Sequence, residues 1–236
     1  MLYIRVVIDL KKIVKVAGVF SLTGKYLRLA QKKESDIINV KSRWALDLLN
    51  KFNISVQIIG KPINHTGPNL FIGNHISYLD IPVLLHACPE ISFVSKKEVK
   101  SWPIIGKAAV KMQTIFVERG NIISRTTAKT AITTSLLSKN QSIAIFPSGT
   151  TAIKTSASWK KGAFEIAELN NILVQPFRIR YEPLSAAAYV GQDNLLQHMY
   201  RLFKFKKIQV TIEFHEPVNI LNSIEECLLW KKWCEN

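Results

Sequence analysis

A histidine and an aspartate stand five residues apart in Gly73-Asn74-His75-Ile76-Ser77-Tyr78-Leu79-Asp80, directly after the apolar run Leu70-Phe71-Ile72. An imidazole is a base near neutral pH, and a carboxylate beside it can fix its tautomer and orientation. On a regular helix a five-residue step turns two side chains about 140° apart. The pair can therefore meet only if His75 lies in the turn leaving a strand and Asp80 in the first turn of a helix. Glycine and asparagine just ahead of His75 suit such a turn. A plainer reading stands beside this one. Ser77-Tyr78-Leu79-Asp80 fits a Ser-x-x-acid capping box ahead of Ile81, Val83, Leu84 and Leu85. On that reading Asp80 caps a helix and His75 is a polar turn residue.

Other residues could serve a polar substrate. Arg119 follows the apolar Ile115-Phe116-Val117 and Glu118, where a guanidinium can grip a phosphate bidentately, although arginine at a strand end is ordinarily a solvated charge. Ser148-Gly149-Thr150 follow Phe146-Pro147, and the amides of Gly149 and Thr150 can donate to an anion, a plain surface turn being the alternative. Lys96, with Lys97, offers an auxiliary phosphate contact or a solvated charge. No Gly-x-Ser-x-Gly elbow exists and no cysteine adjoins His75, so a covalent intermediate is not indicated. His65, His86, His198 and His215 have no acid at an interpretable spacing, and metal binding is not supported.

The elements that must position these groups alternate. Strands are expected at 54–59, 70–72, 91–94, 114–117, 142–146, 172–179 and 207–214, with helices at 78–86, 124–138 and 162–169. Ile208, Val210, Ile212 and Phe214 mark a half-buried strand. Strands separated by helices imply an α/β fold, a single domain with a largely parallel sheet covered by helices on both faces. Sites in such sheets form at the carboxyl ends of the strands. His75, Arg119 and Ser148-Gly149-Thr150 all follow such ends, so one cleft can hold them.

The chain has 236 residues, 32 of them lysine or arginine against 17 acids, a formal charge of +15. That excess favours a polyanionic surface. The basic residues are scattered, and neither zinc-ligand spacing nor an RNA-recognition signature is present, so an anionic membrane is favoured over nucleic acid. Cys88, Cys227 and Cys234, odd in number and widely spaced, suit a reducing cytosol better than a disulfide framework. Near the N-terminus Arg5, Asp9 and Lys12 share one helical face, while Ile4, Val7, Ile8 and Val14 occupy much of the rest. This is the pattern of a basic amphipathic helix lying in the membrane interface. The longest charge-free stretch in this N-terminal region, 16–24, is far short of the ~20 residues a spanning helix needs, and no signal-peptide cleavage site follows it. A second periodic segment places Ile37, Val40, Trp44, Leu48 and Phe52 on one stripe, with Lys41 and Lys51 outside it. The division expected is an amphipathic docking segment at 1–53 and a catalytic domain at 54–236. Packing of both helices on the core is the ordinary alternative.

The His75–Asp80 segment resembles the His-x4-Asp block of the glycerophospholipid acyltransferases, the family of the 1-acylglycerol-3-phosphate acyltransferases. Three more segments are similar to that family's blocks, in its order: Thr114-Ile115-Phe116-Val117-Glu118-Arg119, Phe146-Pro147-Ser148-Gly149-Thr150 and Val174-Gln175-Pro176-Phe177. The resemblance covers roughly residues 40 to 220. It implies acyl transfer from an acyl-carrier-protein or coenzyme A thioester to the free hydroxyl of a lysophospholipid, most simply 1-acyl-sn-glycerol 3-phosphate giving phosphatidic acid. His75 would be the base, Asp80 its orienting acid and Arg119 the clamp on the acceptor's phosphate. No bound cofactor is implied, and the setting would be the cytoplasmic face of the membrane, without a spanning helix. The chain departs from the pattern where Ser148 replaces the usual glutamate and Thr151 a frequent arginine. Either change can mark another head group, such as that of a lyso-ornithine lipid, and Lys154, Lys160 and Lys161 lie close enough downstream to replace the charge. A non-catalytic lipid-binding protein on the same fold is the reading from another class, and a nucleic-acid binder explains none of the four blocks.

Overall fold

The computed structural model describes residues 9–32, 36–63, 67–118, 120, 122–153, 158–191 and 193–236. Arg119, Lys154, His65 and the expected helical face formed by Ile4, Arg5, Val7 and Ile8 lie outside them.

Two helices come first, α1 (Leu10–Lys32) and α2 (Ile37–Lys51). In α1 the buried residues Val19, Thr23, Tyr26 and Ala30 recur every three or four positions and form one stripe. Its first turns leave Leu10 and Val14 largely exposed among Lys11 and Lys15. The expected stripe of α2 is inward, with Val40, Leu48 and Phe52 buried. Lys41 corrects the expectation, since it is only 5% exposed. Its ammonium donates to the Ile91 carbonyl at 2.7 Å. Both helices contribute to the main core, Val19 and Leu49 packing in one cluster with strand residues.

The strands are β1 (Ile54–Ile59), β2 (Leu70–Gly73), β3 (Ser92–Lys96), β4 (Ile115–Val117), β5 (Ile143–Ile145), β6 (Val174–Glu182) and β7 (Ile208–Phe214). Among the described residues they form one seven-stranded sheet in the order β1-β7-β6-β2-β5-β3-β4. Every pairing is parallel except β6 with β7. The helices between them are α3 (Asp80–Ala87), α4 (Ile105–Lys111), α5 (Ile122–Lys139), α6 (Gly162–Asn170), α7 (Leu184–Ala187), α8 (Leu195–Leu202) and α9 (Ser223–Glu235). This is the expected single α/β domain with a mostly parallel sheet.

Alternation along the central strands divides the apolar residues between two faces. Phe71, Ala144, Phe177 and Ile179 join the core under α2, α3 and α8. Leu70, Ile72, Ile143 and Val174 join the core under α5, α6 and α9. Strand β7 keeps Ile208, Val210, Ile212 and Phe214 inside and turns Gln209, Thr211 and Glu213 outward, the half-buried strand that was expected. Helices α4, α8 and α9 were not among the expected elements, although Leu195, Met199 and Leu202 recur at helical spacing in α8. Trp102 is 41% exposed ahead of α4.

Candidate active site

The centre of the sheet brings β2 and β5 side by side, both running toward the same edge. Residues 74–79 leave β2 without regular structure and enter α3, whose first residue is Asp80. His75 is thus in the turn and Asp80 in the first helical turn, the one arrangement that lets them meet. Nδ1 of His75 lies 2.7 Å from Oδ2 of Asp80. The same oxygen accepts the backbone N–H groups of Ile76 at 2.7 Å and Ser77 at 3.0 Å. Asp80 therefore makes contacts of both kinds that the sequence posed as alternatives, although the N-cap of α3 is Leu79 and carries no side-chain cap. Asp80 reaches back to the Ser77 amide, as the acid of a capping box does, and it orients the imidazole. The serine half of that box is missing, because the buried Ser77 hydroxyl has no hydrogen-bond partner among the described residues.

Gly73 and Asn74 prove to act differently from ordinary turn formers. A methyl group on Gly73 would overlap the carbonyl oxygen and ring of Phe177, so glycine is required by the close approach of β6. Asn74 donates its amide to the Ile179 carbonyl at 2.9 Å and accepts the Ile179 N–H at 2.8 Å. Its side chain thereby continues the β2–β6 pairing beyond Gly73, which pairs with Phe177.

Directly after β5, Phe146 lays its ring flat on the imidazole of His75, with centroids 4.0 Å apart and planes 12° from parallel. The Ala152 N–H donates to the His75 carbonyl at 2.9 Å, so the segment after Pro147 is held against the histidine's own backbone. The structure thus brings Ser148, Gly149 and Thr150 beside His75. It also narrows what they can do. Gly149 adopts a positive φ of 67°, and its amide closes a turn onto the Phe146 carbonyl at 2.9 Å. That corrects the expectation that this amide is open to an anion, and leaves the exposed Thr150 as the pair's candidate donor. The Ser148 hydroxyl donates to the Thr150 carbonyl at 2.7 Å.

Lys96 ends β3, two strands away from β2 across β5. At about 4.8 Å per strand this is roughly 10 Å of lateral distance. It is exposed and outside the contacts of His75. Its neighbour Lys97 is ion-paired with Glu118 on the surface, which holds that carboxyl below its usual range. Of the downstream lysines, Lys161 pairs with Glu165 at 3.2 Å and Lys160 is exposed.

Sequence reasoning missed two contributors. Tyr181, on β6, donates its hydroxyl to Oδ1 of Asp80 at 2.8 Å, across 101 residues of chain. Burial, and then the neighbouring carboxylate, push this phenol well above its ordinary value, so it stays a donor. No local spacing announces such a contact; it exists only once β6 lies beside β2. Tyr78 and His198 form the second addition, with Tyr78 Oη 3.0 Å from His198 Nδ1 and His198 Nε2 3.0 Å from the Ala188 carbonyl. Burial lowers the His198 imidazole's affinity for a proton, consistent with a neutral ring that accepts from Tyr78 and donates to Ala188.

With Nδ1 donating to Asp80, Nε2 is the basic nitrogen of His75. The ring is 19% exposed, enough to meet a substrate proton. Among the described residues no group of three or more metal-ligating side chains occurs.

Comparisons with known proteins place the chain in a family. A lyso-ornithine lipid O-acyltransferase of Pseudomonas aeruginosa is 33% identical over 180 residues, covering 74% of this chain and 68% of that one. A 1-acyl-sn-glycerol-3-phosphate acyltransferase of Neisseria gonorrhoeae is 26% identical over 167 residues, 66% of this chain and 63% of the other. The crystal structure of the 1-acyl-sn-glycerophosphate acyltransferase PlsC from Thermotoga maritima shares the fold, with a TM-score of 0.68 over 95% of each chain at 15% identity. Residues 55–180, which include the whole His75–Asp80 segment, match the family model described as Acyltransferase, and this chain belongs to that family.

Proposed function

We propose that the chain transfers a fatty acyl group from an acyl thioester to the free hydroxyl of a lysophospholipid, with His75 as the base. The observation that carries this is the His75–Asp80 contact, which leaves Nε2 to take a proton. As the acceptor oxygen attacks the thioester carbonyl carbon, its proton passes to Nε2 and Asp80 stabilises the imidazolium. The tetrahedral intermediate then expels the thiolate, which takes the proton from Nε2, giving the ester and a free thiol. The donor is acyl-carrier-protein or coenzyme A thioester, and Arg119 takes the acceptor's phosphate where one is present.

The enzyme works at an anionic membrane surface. Supporting this are the +15 charge and the outward face of α1, with Leu10, Ile13 and Val14 exposed beside Lys11 and Lys15. No described helix is long and apolar enough to cross a membrane. Phosphatidic acid from 1-acyl-sn-glycerol 3-phosphate is the product implied by the blocks. One observation favours a lyso-ornithine lipid instead: Ser148, standing where the family's glutamate is expected, turns its hydroxyl onto Thr150 rather than outward. Similarity to the Pseudomonas aeruginosa protein points the same way.

The test offers purified protein a labelled acyl thioester with lysophosphatidic acid, lyso-ornithine lipid or lysophosphatidylethanolamine. His75→Ala should lose at least roughly 10²-fold in rate while remaining folded. An unchanged rate removes His75 from the mechanism. Product from lyso-ornithine lipid but not lysophosphatidic acid selects the second acceptor. Silence on all three acceptors would favour a binding role on this fold.

A further inference from the structure

The Oδ2 atom of Asp80 is occupied by three N–H donors, whereas Oδ1 has Tyr181 as its hydrogen-bond partner among the described residues. Asp80 is fully buried and Tyr181 is 6% exposed, so water has little access to replace the phenol. The placement of Tyr181 is itself built. The Asn74 amide locks onto both backbone groups of Ile179, and Tyr181, two residues on, faces the same side of β6. The clamp that fixes the turn before His75 thus also fixes the register that carries the hydroxyl to Asp80.

We infer that Tyr181 is a positioning residue for the His75–Asp80 pair: its hydroxyl anchors Asp80 through Oδ1 and tempers that carboxylate, which sets how tightly His75 keeps its proton. The inference rests on reading His75 as the base and goes beyond it. A donor on Oδ1 draws off negative charge that would otherwise act through Oδ2 on the imidazolium. Deleting the donor strengthens the hold of Asp80 on a protonated His75, so proton loss moves to higher pH. The other polar and titratable groups nearby keep their places. They are Tyr78 in the same turn, His198 bonded to it from α8, the Arg201–Asp193 pair behind them, and Cys234 of α9, hydrogen-bonded to the Asn74 backbone.

The experiment follows the His75 ring signals by NMR against pH in the intact protein, assigned by their loss in His75→Gln. Wild type is compared with Tyr181→Phe and with 3-fluorotyrosine at position 181, a stronger donor in the same shape. The titration midpoint should rise in Tyr181→Phe and fall in the fluorinated protein. Coincident midpoints in all three overturn the inference, because a merely structural tyrosine would lower stability without moving His75. Should Tyr181→Phe fail to fold, the fluorinated protein, which keeps every contact, decides alone. The acidic limb of the acyl-transfer pH profile should shift in the same order. The NMR readout needs no substrate. Ordered midpoints without acyl transfer would therefore sustain the positioning role and defeat the proposed function, while acyl transfer with coincident midpoints would do the reverse.

Discussion

Asp80→Asn separates charge from shape at the centre of the site. The side chain is fully buried and an amide has nearly the volume of a carboxylate, so packing is kept. Its surroundings are the N–H groups of Ile76 and Ser77, Nδ1 of His75 and the Tyr181 hydroxyl. Two backbone donors dictate that the amide oxygen takes the Oδ2 position, and its NH₂ then faces Tyr181, whose hydroxyl can turn to accept. The turn therefore survives, at a cost of about 1–2 kcal/mol for exchanging charge-assisted bonds for neutral ones. Catalysis fares worse. Unit charges about 4 Å apart at an effective dielectric near 20 attract by about 4 kcal/mol. Loss of that attraction when the imidazolium forms slows transfer about 10³-fold. The assay is kcat and KM for the acceptor beside a urea-unfolding curve. A fall in kcat with KM within a few-fold is expected, and the double variant His75→Ala with Asp80→Asn should be no slower than His75→Ala alone. A kcat within tenfold of wild type in a folded Asp80→Asn protein would reduce Asp80 to a helix cap and refute the dyad.

Three further outcomes follow from neighbouring contacts. Burial depresses Lys41 from 10.5 to about 8, so the unfolded chain binds more protons between those values and stability rises with pH across that window; below it a penalty of about 3 kcal/mol stands. Lys41→Met removes the penalty but leaves the Ile91 carbonyl unpaired, so a net gain of about 1 kcal/mol at pH 7 is expected, shrinking toward pH 10, and a loss of stability at pH 7 would show the ammonium to be net stabilising. Gly73→Ala forces a methyl group onto the Phe177 carbonyl and ring, costing about 3 kcal/mol by denaturant titration; a change below about 0.5 kcal/mol would mean that β6 yields freely. Ser148→Ala should leave the acyl-transfer rate within about threefold, because its hydroxyl bonds within its own turn, and a larger loss at unchanged stability would place that hydroxyl on the acceptor.

What could be read beforehand was whatever local pattern encodes. The alternation of Ile208 through Phe214 needed no partner to be recognised. The His75–Asp80 spacing admitted one meeting geometry, and that geometry is present. Strand β6 was expected to end at 179, and the missing three residues mattered, since Tyr181 is among them. They escaped notice because Arg178, Arg180 and Glu182 alternate with the buried Ile179 and Tyr181, and charges at the end of a strand resemble a loop. Lys41 misled for the complementary reason: a lysine beside an apolar stripe is ordinarily solvated, and the carbonyl of Ile91, fifty residues away, together with the charge of Glu90, makes its burial tolerable.

The plainer reading of the His75 segment is met only in part. A capping box needs the serine hydroxyl and the acid to serve the helix start together, yet Ser77 contributes only its amide while its buried hydroxyl has no partner among the described residues. A turn selected for helix capping alone would not leave a serine idle and spread four donors over one aspartate. The irregular backbone of 74–79 is instead held from several sides, by Asn74 on Ile179, by Ala152 on the His75 carbonyl and by Tyr189 on the Ile76 carbonyl. Each contact comes from a different part of the chain, so the fold itself holds the imidazole, and the base proposed above would need little reorganisation. Preorganisation of this kind is what a proton-transfer site requires and what a helix cap does not.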